Sequence, residues 1–113
     1  MIYVLSQDQL PSGSFSHEFV GDDHGGVGVS VILTDAGADQ GPSLHTHPYT
    51  EIHIAQAGEA LFFTDEEQRL VRAGEIVVVP AGVPHGFKSQ GGFREIAIHE
   101  NGHFVTEWLP TDA

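Results

Sequence analysis

With 113 residues, the chain has room for one modest hydrophobic core but not for two independent domains, so a single domain over residues 1–113 is expected. Four Lys and Arg against 16 Asp and Glu give a net charge of −12; this field repels nucleic-acid phosphates and anionic membrane surfaces and leaves a small molecule as the expected partner. The chain has no cysteine, which excludes disulfides, thiolate zinc sites and a cysteine nucleophile, so any metal must be held by nitrogen and oxygen.

The opening MIYVLSQDQLPSG lacks the basic flank and long apolar core of a signal peptide, and no stretch approaches a membrane-spanning length; a cytoplasmic protein is expected. From there the apolar residues alternate or fall in short β-branched runs, which is an all-β rhythm. Strands are predicted at 2–5, 17–20 and 27–33, then, beyond Gly41-Pro42, at 51–57 and 60–64 with Ala57-Gly58 as the turn between them. Further strands are predicted at 69–71 and 75–79 on either side of Ala73-Gly74. After the loop Pro80 to Pro84 come 85–89 and 93–99, split by Gly91-Gly92, and finally 105–109 beyond Asn101-Gly102. So many short strands expose aggregation-prone edges unless the sheet closes, so a jelly-roll barrel is expected.

Two histidine-bearing segments, 41–58 and 74–87, read together as one metal site. In an extended HTH, His45 and His47 project to the same side; after the break at Pro48, Glu51 and His53 share a face. His85 comes from the second segment. Three imidazoles and a carboxylate suit Fe, Zn, Ni, Mn or Cu and leave one or two coordination positions open. His53, on the inward face, and His99, at the end of an inward series Phe93, Glu95, Ala97, His99, are candidate acid–base or ligand-orienting groups. Tyr49, within HTHPYTE, could turn its phenol toward a substrate. His17 and His24 sit among acidic and glycine residues and read as solvated. Lys88 and Arg94 are the basic residues left as anchors for a substrate carboxylate. The string HENGH at 99–103 fits H-E-x-x-H, but Asn-Gly is a hairpin dipeptide that breaks the helix that motif needs.

These residues resemble the motifs of the cupin superfamily, G-x5-H-x-H-x3-4-E-x6-G and G-x5-P-x-G-x2-H-x3-N. His45-Thr46-His47, three residues, Glu51, six residues and Gly58 fit the first; Gly74, five residues, Pro80-Ala81-Gly82, two residues and His85 fit the second. Gly41 stands closer to His45 than the pattern has it, and Ser89 replaces the final Asn. Core motifs at 41–58 and 74–89 then imply a double-stranded β-helix barrel, usually a homodimer, with a metal near its wider mouth held by His45, His47, Glu51 and His85.

The reading expected from these features is a metal-dependent cupin enzyme acting on a small organic molecule, with a dioxygenase using Fe(II) favoured. Redox-neutral isomerase, cyclase or lyase chemistry, including sugar-acid ring opening, on Zn, Ni or Mn is the alternative, with Tyr49, His53 or His99 moving the proton. A metal- or small-ligand-binding module without turnover is the third, because one fold hosts many functions.

Overall fold

The computed structural model describes residues 1–110. Eight strands follow in order: β1 Ser16–Phe19, β2 Ser30–Ala36, β3 His45–Thr46, β4 Glu51–Phe63, β5 Gln68–Arg72, β6 Ile76–Val79, β7 Gly86–His99 and β8 Glu107–Trp108. Two 3-10 turns, Gln7–Gln9 and Gly21–Asp23, complete the secondary structure of the described residues. No helix among these residues is long and apolar enough to cross a membrane.

The main sheet runs β1-β2-β7-β4-β5, with β6 also paired to β4, and β3 pairs with β8 in a second sheet. All pairings are antiparallel. The long strands β4 and β7 form the spine, and their register decides which side chains share the interior: Glu51 faces His99, His53 faces Ala97 and Ala55 faces Glu95. On the other side of β7, Thr34 of β2 faces Glu95. Alternation along β4 and β7 buries Glu51, His53 and Ala55 together with Phe93, Glu95, Ala97 and His99, as expected of strands with one face in a core.

Five predicted elements are corrected. Residues 2–5 form no strand; Met1 to Val4 are exposed, because that apolar run finds no partner strand among the described residues. The strand predicted at 27–33 begins at Ser30 and runs on to Ala36, because the Val27 amide is tied back to the Gly21 carbonyl at 3.1 Å. The predicted pairs 51–57 with 60–64, and 85–89 with 93–99, each fuse into one strand. Gly58 is a bulge rather than a turn: its φ is +73° and a Cβ there would collide with the Gly92 carbonyl of β7, so only glycine lets the strand continue. The strand predicted at 105–109 shortens to Glu107–Trp108.

Ala36, Ala55, Ala60, Phe62, Val71, Phe87 and Phe93 make the core. Phe62 stacks on Phe87 with ring centroids 5.1 Å apart, and Phe93 meets Phe87 edge-on at 5.7 Å. Edge and offset contacts of this kind add about 0.5–1.5 kcal/mol each beyond area burial. His53 rests edge-on against Phe62 at 4.9 Å, so this aromatic layer is the floor on which the polar interior stands.

Candidate metal centre

His45, His47, Glu51 and His85 are all buried, and one ligand atom from each lies within 4.8 Å of the others. Local backbone geometry places them. His45 and His47 flank half-buried Thr46 on one face. The second motif is pinned to the first by reciprocal amide–carbonyl bonds between His45 and His85, both 3.0 Å, and by the Gly82 amide donating to the His47 carbonyl at 2.8 Å.

The partner of each Nδ1 determines what its ring presents to the centre. His45 Nδ1–H donates to the Ser43 carbonyl at 2.7 Å, His47 Nδ1–H to the Val105 carbonyl at 2.8 Å and His85 Nδ1–H to the Val83 carbonyl at 2.9 Å. A carbonyl only accepts, so these rings carry their proton on Nδ1 and turn a bare Nε2 lone pair inward. His85 Nε2 sits 2.9 Å and His47 Nε2 3.3 Å from Glu51 Oε1. Nitrogen lone pairs facing a buried carboxylate repel unless a cation lies among them, so the donor set fits a divalent metal by its own chemistry. Burial lowers the pKa of His45 from 6.5 to about 4, further lowered by His85 and His47 and only partly offset by its bond to Ser43, so this ring is neutral and ready to ligate near neutral pH.

Glu51 is also approached from the opposite side. Its Oε2 lies 2.9 Å from His99 Nε2 and 3.2 Å from His53 Nε2. Burial works to raise the Glu51 pKa, but the proton-bearing rings of His53 and His99 that approach it outweigh burial and hold the carboxyl well below the usual range.

His53 and His99 are distinguished from the other three rings by their partners. His53 Nδ1–H donates to Glu95 Oε1 at 2.7 Å, and Thr34 Oγ1 donates to Glu95 Oε2 at 3.1 Å. Burial disfavours the charged ring, yet Glu95 and Glu51 together raise its pKa from 6.5 to about 10; His53 stands as an imidazolium between two carboxylates. His99 Nδ1 meets Tyr49 Oη at 2.8 Å. Tyr49 is buried, which pushes its phenol pKa up.

The five histidines, Glu51, Glu95 and Thr34 line a cavity of about 240 Å³ with Phe15, Ile32, Phe87, Ala97, Phe104 and Trp108 among its apolar walls; Tyr49, expected to turn its phenol toward a substrate, is not in the lining and reaches it only through His99. Trp108 is 59% exposed and lies 4.8 Å from the His45 ring, centroid to centroid, at the cavity's rim. The expected anchors Lys88 and Arg94 are not part of it. Strand alternation turns both outward, and Lys88 Nζ instead lies 3.8 Å from Asp39 on the surface. His24 is half-buried rather than solvated, stacked on Phe19 at 4.6 Å, and His17 is half-buried within β1. The HENGH string is not a helix: His99 ends β7, and exposed His103 donates to Asp22 at 2.9 Å.

Glu95, Thr34 and the three carbonyls lay beyond the sequence-level site. Inward parity along β7 was the only signal for Glu95, and a backbone acceptor leaves none.

The cupin-domain family model matches residues 31–99, more than half of the 113-residue chain. The chain therefore belongs to the cupin-domain family, and its fold is the double-stranded β-helix barrel. Among solved structures it is similar to a cupin-like protein from Thermotoga maritima, at 20% identity over 96% of this chain and 89% of that one, with a TM-score of 0.76. A protein with a double-stranded β-helix domain from Klebsiella pneumoniae is 18% identical over 98% and 100% of the two chains, TM-score 0.75. An oxalate oxidase in complex with the substrate analogue glycolate is 22% identical over 94% of this chain but only 63% of its own, TM-score 0.74. At these identities the likeness is one of fold. No curated protein matches the sequence significantly.

Proposed function

We propose that this protein is a metal-dependent oxidoreductase of the dioxygenase type that acts on a small organic molecule. The observation that carries the reading is the convergence of three Nδ1-protonated imidazoles and the Glu51 carboxylate on one buried point at the wall of an apolar cavity. His45, His47, Glu51 and His85 hold the metal, with iron favoured over Zn, Ni, Mn or Cu. A redox-active metal there supplies the electron transfer that imidazole and carboxylate cannot.

The chain's own residues do the rest. Phe15, Phe104 and Trp108 exclude water from the substrate, which strengthens every polar contact inside. The volume of about 240 Å³ lies below the range of drug-sized sites and restricts the substrate to a small molecule. The oxalate oxidase neighbour, whose structure holds glycolate, is in keeping with oxidative chemistry on small acids in this fold.

Elemental analysis of untagged protein purified anaerobically without added metal tests the reading, followed by dioxygen uptake with catechols, diketones, thiols and small hydroxy acids. About one iron per chain and substrate-dependent oxygen consumption are expected. Absence of oxygen consumption from iron-loaded protein across the panel would overturn it.

A second reading, redox-neutral isomerase, cyclase or lyase chemistry on Zn, Ni or Mn, is favoured by one observation. A proton-bearing chain, Tyr49 to His99, opens into the cavity beside Glu51, where general acid–base work is possible. Turnover that persists unchanged without oxygen would establish it, and tight ligand binding with no product would leave a binding module.

A further inference from the structure

His99 keeps its proton on the opposite nitrogen from the three metal-facing rings, as the surrounding bonds require. His47 Nδ1 is committed as a donor to the Val105 carbonyl, so it cannot accept the Tyr49 hydroxyl proton 3.4 Å away. The Val105 amide already donates to Tyr49 Oη at 3.2 Å. Among the described residues the hydroxyl proton then has one acceptor, His99 Nδ1 at 2.8 Å. Accepting it makes His99 the Nε2–H tautomer, and a protonated nitrogen does not ligate a metal.

That N–H is an orphan. His99 is 2% exposed, and its Nε2 has no hydrogen-bond partner; Glu51 Oε2 is 2.9 Å away but off the line that a bond requires. Phe104, edge-on to the ring at 4.8 Å, keeps water from its flank. Buried donors are nearly always satisfied, so an unpaired one facing a ligand cavity calls for a ligand acceptor.

The lining points the same way: no Lys or Arg lines the cavity, so a ligand oxygen bound beside Glu51 has ring N–H groups rather than a side-chain cation to meet it.

We propose that His99 Nε2–H, beside the likewise unpartnered His53 Nε2, is a hydrogen-bond donor to a ligand oxygen, and that the site takes a small molecule with a carboxylate or enolate oxygen, bound beside the metal. Tyr49 is the positioning residue that holds His99 in the donating tautomer. The proposal rests on the metal-centre reading above, and its test separates the two.

Protein loaded with Co(II) is titrated with formate, and with imidazole as a neutral control, while the visible Co(II) spectrum is followed. His99→Ala is expected to weaken formate about tenfold, the value of one charge-assisted hydrogen bond, with Co(II) content and imidazole affinity unchanged. His99→Gln, which returns an N–H donor, is expected to recover most of the loss, and Tyr49→Phe to lose part of the affinity. Formate affinity within twofold of wild type in His99→Ala overturns the proposal. So does a loss of formate and imidazole binding together with Co(II), since His99 then acts only through Glu51. Failure of wild-type protein to take up Co(II) or any other divalent metal overturns the metal centre itself and this proposal with it.

Discussion

Glu51 and His99 face each other across the β4–β7 ladder, and the carboxylate they share with His47, His53 and His85 is contacted from both sides at 2.9 to 3.3 Å. One oxygen turns to the metal-facing rings and the other to the two rings that carry protons on Nε2. Glu51 is thus the boundary between the part of the interior whose donor set fits a cation and the part whose rings present N–H groups.

His47→Ala removes an Nε2 ligand but touches none of the Phe62, Phe87 and Phe93 core. Metal affinity is expected to fall more than tenfold, with the far-ultraviolet circular dichroism of the barrel unchanged. His103→Ala, which breaks only the surface contact with Asp22, is expected to keep full metal content. Elemental analysis of both variants checks this.

Glu95→Gln takes away the counter-charge that holds His53. Breaking a buried pair leaves an uncompensated charge, which costs about 3–5 kcal/mol, measured by urea unfolding of metal-free protein at pH 7. Thr34→Val removes the single hydroxyl bond to Glu95 and is expected to cost about 1 kcal/mol. A loss from Glu95→Gln no greater than that from Thr34→Val would contradict the ion-pair account.

Metal-free protein is expected to be most stable near neutrality, with an acid and an alkaline limb. His45 titrates at about 4 in the fold against about 6.5 unfolded, so the unfolded chain gains a proton first and stability falls as pH drops through 6.5 toward 4. His53 titrates at about 10, so the stability gained from its charged form is whole below 6.5 and is lost as pH rises from 6.5 through 10. Denaturant midpoints from pH 4 to 10 show both limbs, and His53→Gln should flatten the alkaline one.

Gly58→Ala and Gly74→Ala separate strain from collision. Both positions have positive φ, but a Cβ at Gly58 would meet the Gly92 carbonyl, whereas one at Gly74 meets nothing within 4 Å. Gly74→Ala should cost about 1–2 kcal/mol from backbone strain alone. Gly58→Ala should cost more and lower Tm by a further 4 °C or more, since about 1 kcal/mol shifts a domain of this size by roughly 4–8 °C.

The metal-facing quartet was legible because its signal is local: HTH alternation, a fixed step to Glu51, and a glycine-proline loop delivering His85. The all-β class was legible for the same reason. Strand ends were less so. Gly58 and Gly91-Gly92 read as turns in isolation, and only the opposing strand reveals them as irregularities within β4 and β7. The roles of His53 and His99 were open in the sequence because a ring's job depends on its far nitrogen, and Glu95 and Tyr49 meet those nitrogens across 42 and 50 residues of chain. The expectation for Lys88 and Arg94 failed because scarcity of basic residues says nothing about which way a strand turns them.

The carbonyls of Ser43, Val83 and Val105 orient the three metal-facing histidines, and a carbonyl is present whatever the side chain. Point substitutions at positions 43, 83 and 105 therefore leave the orienting acceptor in place. Tyr49 and Glu95 orient through side chains and can be erased by one codon change. The barrel thus separates a metal-fitting quartet whose backbone supports tolerate sequence drift from a half whose rings a single mutation can re-orient; under the function proposed above, that division lets substrate preference change without rebuilding the centre.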